Sequence, residues 1–178
     1  LKNDKQLQIT IRCDNFSVIS NWQHANDCDV IALSISSTAL RQLPLTTIKE
    51  KLLSSNKAAS LLMLQPSEED LDHLSQVIPR ENILQGMITL ISYQTDNINE
   101  GISPAGTAYY LPPLPMPISA TLLTQQKNSL KEAVAVFKES GINAKPVHSA
   151  LDESRLISAF FMTFLCALEA ANWQFKDL

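Results

Sequence analysis

Two runs of consecutive apolar residues, separated by a helix-like segment, constrain the fold of this chain more than any other feature. The first run is "DVIALSI", in which residues 30–33 are all apolar, and the second is "ASLLMLQ" at residues 59–65. Strands without polar alternation are typical of parallel sheets that are covered on both faces. Between the two runs, leucine and isoleucine recur at roughly helical spacing, which predicts a crossover helix over residues 38–54. Strand, helix and strand in this order predict a βαβ unit.

The chain continues as alternating strands and helices. A helix is predicted to begin at Ser67, with three acids in its first turn that we expect to face water, and to end at Pro79. Residues 119–140 predict another helix, with Ser119 as its cap and Gly141 in the left-handed position after it. Further strands are predicted in "LQITIRCDNF", "NILQGMITLISYQ", "GTAYYLPP" and "INAKPVH". The pattern predicts an α/β fold with a mostly parallel sheet.

Two segments do not follow this alternation. "PPLPMPIS" carries four prolines within residues 112–117, and because proline lacks a backbone donor, we expect a rigid surface turn rather than a central strand. A recognition loop is the alternative. From Asp152 a long, nearly all-apolar helix follows, which would have to be covered on most sides.

Composition excludes several classes of function. A formal net charge of −4 without any run of Lys or Arg argues against binding to nucleic acid or to an anionic membrane. The most apolar stretch falls short of a comfortable membrane span. Cys13, Cys28 and Cys166 form no C-x-x-C pair, and the histidines do not share a ligand spacing, so we expect no metal site and no disulfide framework. Reduced thiols fit a cytoplasmic protein.

Serines and a glutamine follow the two buried strands. Because ligands bind outside the carboxyl ends of strands in open α/β sheets, the segments 34–37 and 65–67 are the candidate binding residues. Serine hydroxyls and free amides at a helix start can hold a phosphate or a ribose, although the same serines could merely cap helices. Neither a G-x-G-x-x-G loop nor a G-x-S-x-G nucleophile motif occurs.

The order of segments resembles a known family. "LKNDKQLQITIRCDNF", "DCDVIALSISSTALRQLPLTTIKEKL", "LLMLQPSEEDLDHLSQVIPRENILQGMITLISYQ" and "KEAVAVFKESGINAKPVHSALDESRLISAFFMTFLCALEA" together look like ketopantoate reductase and its relatives. The resemblance implies a Rossmann-like domain, NADPH as cofactor, and reduction of a 2-keto acid in a cleft between two domains. It also implies that a glycine-rich loop precedes Leu1 and that a helical domain follows Leu178, so that this chain is a middle section.

Carried over to this sequence, the family's functional positions hold different residues. The lysine at the end of the first strand falls on Ser36 or a neighbour, and the "QNG" after the next strand corresponds to Gln65 followed by proline and serine. The resemblance therefore implies the following cofactor-binding residues: Ser34, Ser36, Ser37, Gln65 and Ser67. The family's catalytic lysine corresponds to Arg155, and its two asparagines correspond to Ala159 and Thr163, which makes Arg155 and Thr163 the catalytic candidates.

Two hypotheses of function follow. The first is a ketopantoate-reductase-like, NADP-dependent oxidoreductase of pantothenate biosynthesis, which takes a small-molecule substrate and could form a homodimer. In it, residues 1–148 are the remainder of the nucleotide-binding domain and residues 149–178 are the first helix of an α-helical C-terminal domain. The second hypothesis is a non-catalytic Rossmann-like module for binding or protein interaction, because the glycine loop and the lysines are missing and because the proline-rich "PPLPMPI" offers a candidate interaction site.

Overall fold

The helices and strands of this chain are taken from a computed structural model that describes residues 17–24, 28–54, 59–89, 91–95, 106–110, 114–122 and 126–171. The strands are β1 Val30–Leu33, β2 Ser60–Met63, β3 Ile83–Gly86, β4 Ile91–Thr95, β5 Gly106–Tyr110, β6 Met116–Ala120 and β7 Ala144–Pro146. The helices are α1 Ser37–Leu40, α2 Leu45–Ser54, α3 Glu68–Ser75, α4 Lys127–Glu139 and α5 Ala150–Ala170, with 3₁₀ turns at Trp22–His24 and Arg80–Asn82. The strand expected in "LQITIRCDNF" lies outside the described residues.

Five of these strands form one mostly parallel sheet. Their order is β1-β2-β3-β6-β7. The pairs β1–β2, β2–β3 and β6–β7 are parallel, and β3–β6 is antiparallel. The strands β4 and β5 form a separate antiparallel pair. The predicted α/β, Rossmann-like fold with crossover helices is confirmed by this arrangement.

The sheet has a hydrophobic cluster on each face. Strand β2 contributes to both, because Leu61 and Met63 belong to the cluster beneath α1, α2 and α3, whereas Leu62 belongs to the cluster beneath α4. All four residues of β2 are buried, as the unbroken apolar run predicts. Strand β1 differs from the prediction. Among the described strands it is the last one on its side of the sheet, and Ala32 is exposed.

The helix boundaries differ from the predicted ones where proline intervenes. The crossover helix expected over residues 38–54 is two helices, α1 and α2, because Pro44 disfavours helical geometry in the residue before it. The helix expected over 119–140 begins only at Lys127, and Ser119 lies in β6 instead. Gly141 follows α4 with φ of 87°, which confirms the left-handed position.

The end of the proline-rich segment is a central strand rather than a surface turn. Strand β6 lies between β3 and β7, and Pro117 is fully buried in it. Its carbonyl oxygen accepts a hydrogen bond from the amide of Met87 at 3.1 Å. Pro117 lacks the N–H for a reciprocal bond, and the β3–β6 register begins one residue later, at Ile118. Proline is tolerated here because it lies at the end of that ladder.

Helix α5 leaves the sheet and exposes apolar side chains. Its first residue, Ala150, is fully buried, but Leu156 is 71% exposed and Phe160 is 70% exposed. Farther along, Met162, Phe164 and Leu165 are exposed too. The expected cover on most sides is therefore absent from the described residues of this chain. A helical domain that begins at residue 149 stays a prediction.

Candidate functional site

A cavity of about 410 Å³ lies at the carboxyl ends of β1, β2 and β3. The segments that follow these strands line it, and Leu114 joins them because the antiparallel β6 begins at the same edge of the sheet. Residues of α5 line the cavity as well. The lining residues are Ser37, Leu64, Gln65, Pro66, Ser67, Asp70, Met87, Ile88, Thr89, Leu114, Ser154, Ile157, Ser158 and Phe161. The cavity has the size and mixed polarity of a small-molecule site.

A buried carboxylate forms the polar centre of this cavity. The side chain of Asp70 lies in the first turn of α3, and the residue is 3% exposed. Its Oδ1 is 2.5 Å from Nη1 of Arg41, and its Oδ2 accepts a hydrogen bond of 2.6 Å from the hydroxyl of Ser37. Both oxygens are therefore paired, which is what a carboxylate removed from water requires.

The burial of Asp70 corrects the expectation that the acids at the start of α3 face water. Glu68 and Glu69 are exposed, as expected, but Asp70 is not. It precedes Leu74 by four residues, and Leu74 is a core residue. Residues four apart lie on the same face of a helix, so this spacing is the sequence signal that could have predicted an inward carboxylate.

The predicted cofactor-binding residues divide into two groups. Ser37, Gln65 and Ser67 line the cavity. Ser67 also caps α3, since its hydroxyl oxygen accepts from the amide of Asp70 at 3.3 Å. Ser34 and Ser36 are exposed and lie outside the lining. The hydroxyl oxygen of Ser36 accepts from the amide of Ala39, so that Ser36 caps α1.

The two catalytic candidates on α5 lie outside the cavity lining. The guanidinium of Arg155 is 3.1 Å from the carboxylate of Glu68 and 3.6 Å from that of Asp152. The hydroxyl of Thr163 donates to the carbonyl oxygen of Ala159, one turn earlier in its own helix, at 2.8 Å.

The face of α5 that lines the cavity carries other residues, which sequence reasoning missed. They are Ser154, Ile157, Ser158 and Phe161, at intervals of three and four residues that place them on one helix face. Two serines four residues apart at the start of an apolar helix are the signal that could have indicated a polar face. A shift of one residue, from position 155 to 154, turns a helical side chain by about 100°.

The start of α5 is fixed to the sheet by a buried hydrogen bond. The hydroxyl oxygen of Ser119 accepts from the amide of Ala150 at 2.9 Å, and both residues are essentially inaccessible to solvent. Ser149 caps the same helix end by accepting from the amide of Asp152 at 3.1 Å. Because α5 supplies one wall of the cavity, these two hydrogen bonds contribute to the position of that wall.

Two other structural features are absent from the part of the chain that the structure describes. No three His, Cys, Asp or Glu side chains there come together as metal ligands. None of the described helices is long and apolar enough to cross a membrane.

The chain was compared with known proteins. No family model and no curated protein matches it. Among solved structures, it is similar to a crystal structure from Enterococcus faecalis whose provisional name is 2-dehydropantoate 2-reductase, with 22% identity and a TM-score of 0.45. The match covers 73% of this chain and 36% of that one. Similarity at this level does not assign an activity to this chain.

Proposed function

We propose that the cavity binds a nicotinamide nucleotide, and that this chain forms the cofactor side of an NADP-dependent oxidoreductase that acts on a 2-keto acid. One observation carries the proposal: the cavity lies at the carboxyl ends of three parallel strands, and Ser37, Gln65 and Ser67 line it. This is the position at which open α/β sheets bind ligands. The reductase part of the proposal depends on the resemblance of the sequence to ketopantoate reductases.

The lining fits part of a nucleotide. Hydroxyls from Ser37, Ser67, Ser154 and Ser158 provide hydrogen-bonding groups around apolar walls, of which Phe161 is the largest member. A nucleoside has the same division into a flat ring and a hydroxyl-bearing sugar. When bound, the reduced cofactor would supply the hydride, and the residues of this chain would position it and exclude water.

A non-catalytic binding module is the second candidate, and a specific observation favours it. Among the described lining residues, Asp70 is the single ionisable side chain, and it is paired with Arg41. A keto reduction needs a group that donates a proton to the developing alkoxide. Arg155 could polarise a carbonyl, but arginine is a poor general acid because it stays protonated, and it pairs with Glu68.

The structure removes part of the interaction site that the non-catalytic module would use. That hypothesis requires the proline-rich segment "PPLPMPI" to be an exposed surface loop. Pro117 is fully buried in β6, and Pro112 and Pro113 lie outside the described residues. The homodimer stays a prediction as well.

The experiment that tests the proposal is a titration of the chain with NADPH, followed by nucleotide fluorescence. We expect saturable binding that Ser158→Phe abolishes, because a phenyl ring at position 158 would fill the cavity from α5. Ala167→Phe is the matched control, since Ala167 is exposed on the same helix and outside the lining. Absence of NADPH binding would refute the proposal for this chain.

A second measurement separates the two candidates. NADPH oxidation is followed in the presence of a panel of small 2-keto acids. Turnover that Ser158→Phe removes would support the reductase. Saturable binding without turnover would support the non-catalytic module.

A further inference from the structure

Ser37 of α1 and Asp70 of α3 lie side by side in the cavity, and their side chains differ from the rest of the lining in what they can offer a ligand. The hydroxyl of Ser37 has one hydrogen, and it donates that hydrogen to Oδ2 of Asp70 at 2.6 Å. An ionised carboxylate has no hydrogen to donate. The side chains of Ser37 and Asp70 therefore present only acceptor lone pairs to a molecule in the cavity.

The positive charge near this pair is already engaged. Nη1 of Arg41 lies 2.5 Å from Oδ1 of Asp70, and Arg41 is not among the residues that line the cavity. The described lining contains no lysine, arginine or histidine. A phosphate or carboxylate here would face the buried carboxylate of Asp70, and the described lining offers it no cation as a partner.

We propose that Ser37 and Asp70 form an acceptor-only wall that selects an uncharged, donor-bearing part of a ligand, such as a ribose hydroxyl or an amide, and keeps anionic groups out of the cavity. This inference rests on the proposed function and narrows it. In a nicotinamide nucleotide, the nucleoside end occupies the cavity and the phosphates lie outside it. Serines at a strand end can bind either a ribose or a phosphate, and the acceptor-only wall binds the ribose.

Two pairs of measurements test the wall. Reduced nicotinamide riboside and reduced nicotinamide mononucleotide differ by one phosphate, and both are titrated by fluorescence. We expect the added phosphate to leave the affinity unchanged or to lower it, and we expect inorganic pyrophosphate not to displace the riboside. Tighter binding of the mononucleotide, or displacement by pyrophosphate, would overturn the inference.

The second pair uses variants. Asp70→Asn replaces acceptor capacity with an N–H donor, so riboside affinity should fall by about tenfold or more, and pyrophosphate affinity should rise. Asp72→Asn is the matched control, because Asp72 lies on the same helix, is exposed, and pairs with Arg80 away from the cavity. Its affinities should equal those of the unmodified chain.

Ser37→Ala keeps the test decisive if Asp70→Asn does not fold. Ser37 is exposed as a residue, so the variant should fold, and losing one neutral hydrogen bond should weaken the riboside roughly two- to tenfold. Thr38→Ala, at an exposed position in the same helix and outside the lining, is its control. Unchanged riboside affinity in every cavity variant that folds would overturn the inference.

The outcomes separate this inference from the proposed function. If NADPH binds with the same affinity to Asp70→Asn, to Ser37→Ala and to the unmodified chain, the proposed function is supported and the inference of an acceptor-only wall is refuted. A different result would be that neither NADPH nor the riboside binds, whereas adenosine binds and Asp70→Asn weakens its binding. This result would refute the proposed function and support the acceptor-only wall. Failure of all three ligands would overturn both.

Discussion

The hydrogen bond between Ser119 and Ala150 allows a sharp test of how the cavity is built. It joins the buried strand β6 to the first residue of α5, and the two groups are 31 residues apart in the sequence. In Ser119→Ala the amide of Ala150 loses its partner in a place that water does not reach, since Ala150 is fully buried. The loss should therefore cost more than that of an exposed hydrogen bond.

The magnitude follows from the desolvated amide. A buried donor without a partner costs about 1–3 kcal/mol, against a total stability of about 5–15 kcal/mol for a typical domain. For a chain of this size, each kcal/mol lowers the melting temperature by roughly 2–4 °C. We expect Ser119→Ala to melt roughly 2–12 °C below the unmodified chain, and ligand affinity to fall because α5 is held less firmly.

The assay is thermal and urea unfolding, followed by circular dichroism, with Ser149→Ala as the control. Ser149 caps the same helix end by accepting from the amide of Asp152, but that bond is exposed, so water can replace it. We expect the control to lose only about 0.5–1 kcal/mol. If Ser119→Ala is no more destabilising than Ser149→Ala, the argument that burial makes this bond important is wrong.

Two further predictions concern the frame of the fold. Gln126 is 1% exposed, its side-chain oxygen accepts from the amide of Leu122 at 2.7 Å, and its side-chain nitrogen donates to the carbonyl of Ile83 at 2.7 Å. Gln126→Leu should cost about 1–3 kcal/mol in urea unfolding, because the amide of Leu122 loses its partner and the carbonyl of Ile83 loses one of its two donors, the hydroxyl of Thr121 being the other. A loss below about 0.5 kcal/mol, the size expected of a surface substitution, would contradict this. Gly141→Ala should cost roughly 1 kcal/mol, since φ is 87° and no atom lies within 4 Å of the added carbon. Gly141→Asn should cost less, and equal losses in the two variants would contradict the assignment to backbone strain.

Much of the fold was predictable because local chemistry and tertiary structure agree there. The unbroken apolar run of β2 needs cover on both faces, and the sheet provides it. Ser67 caps α3 as its position before three acids predicts, and the glycine after α4 takes the left-handed conformation. Each of these features is determined within a few residues of the chain.

The errors arose where a distant partner overrides a local preference. Pro117 argues against a central strand, but at the end of the β3–β6 ladder its missing amide costs no bond of that ladder. Ser119 looked like a helix cap because it precedes an apolar helix. It does cap a helix, but α5 rather than the helix that follows it, through a contact that topology alone creates.

In the candidate site too, some features follow from nearby residues and others from residues far away in the sequence. The distant residues decide which ligand group the site can accept. The spacing of Asp70 and Leu74 could have predicted an inward carboxylate, but not its partners, since Ser37 is 33 residues away and Arg41 is 29 residues away. Those partners decide the chemistry. A serine after a strand can donate to a phosphate, whereas a serine whose hydrogen is held by a carboxylate can only accept. The residue types of the strand-end segment are therefore compatible with both a phosphate and a ribose, and the contact with Asp70 is what distinguishes the two.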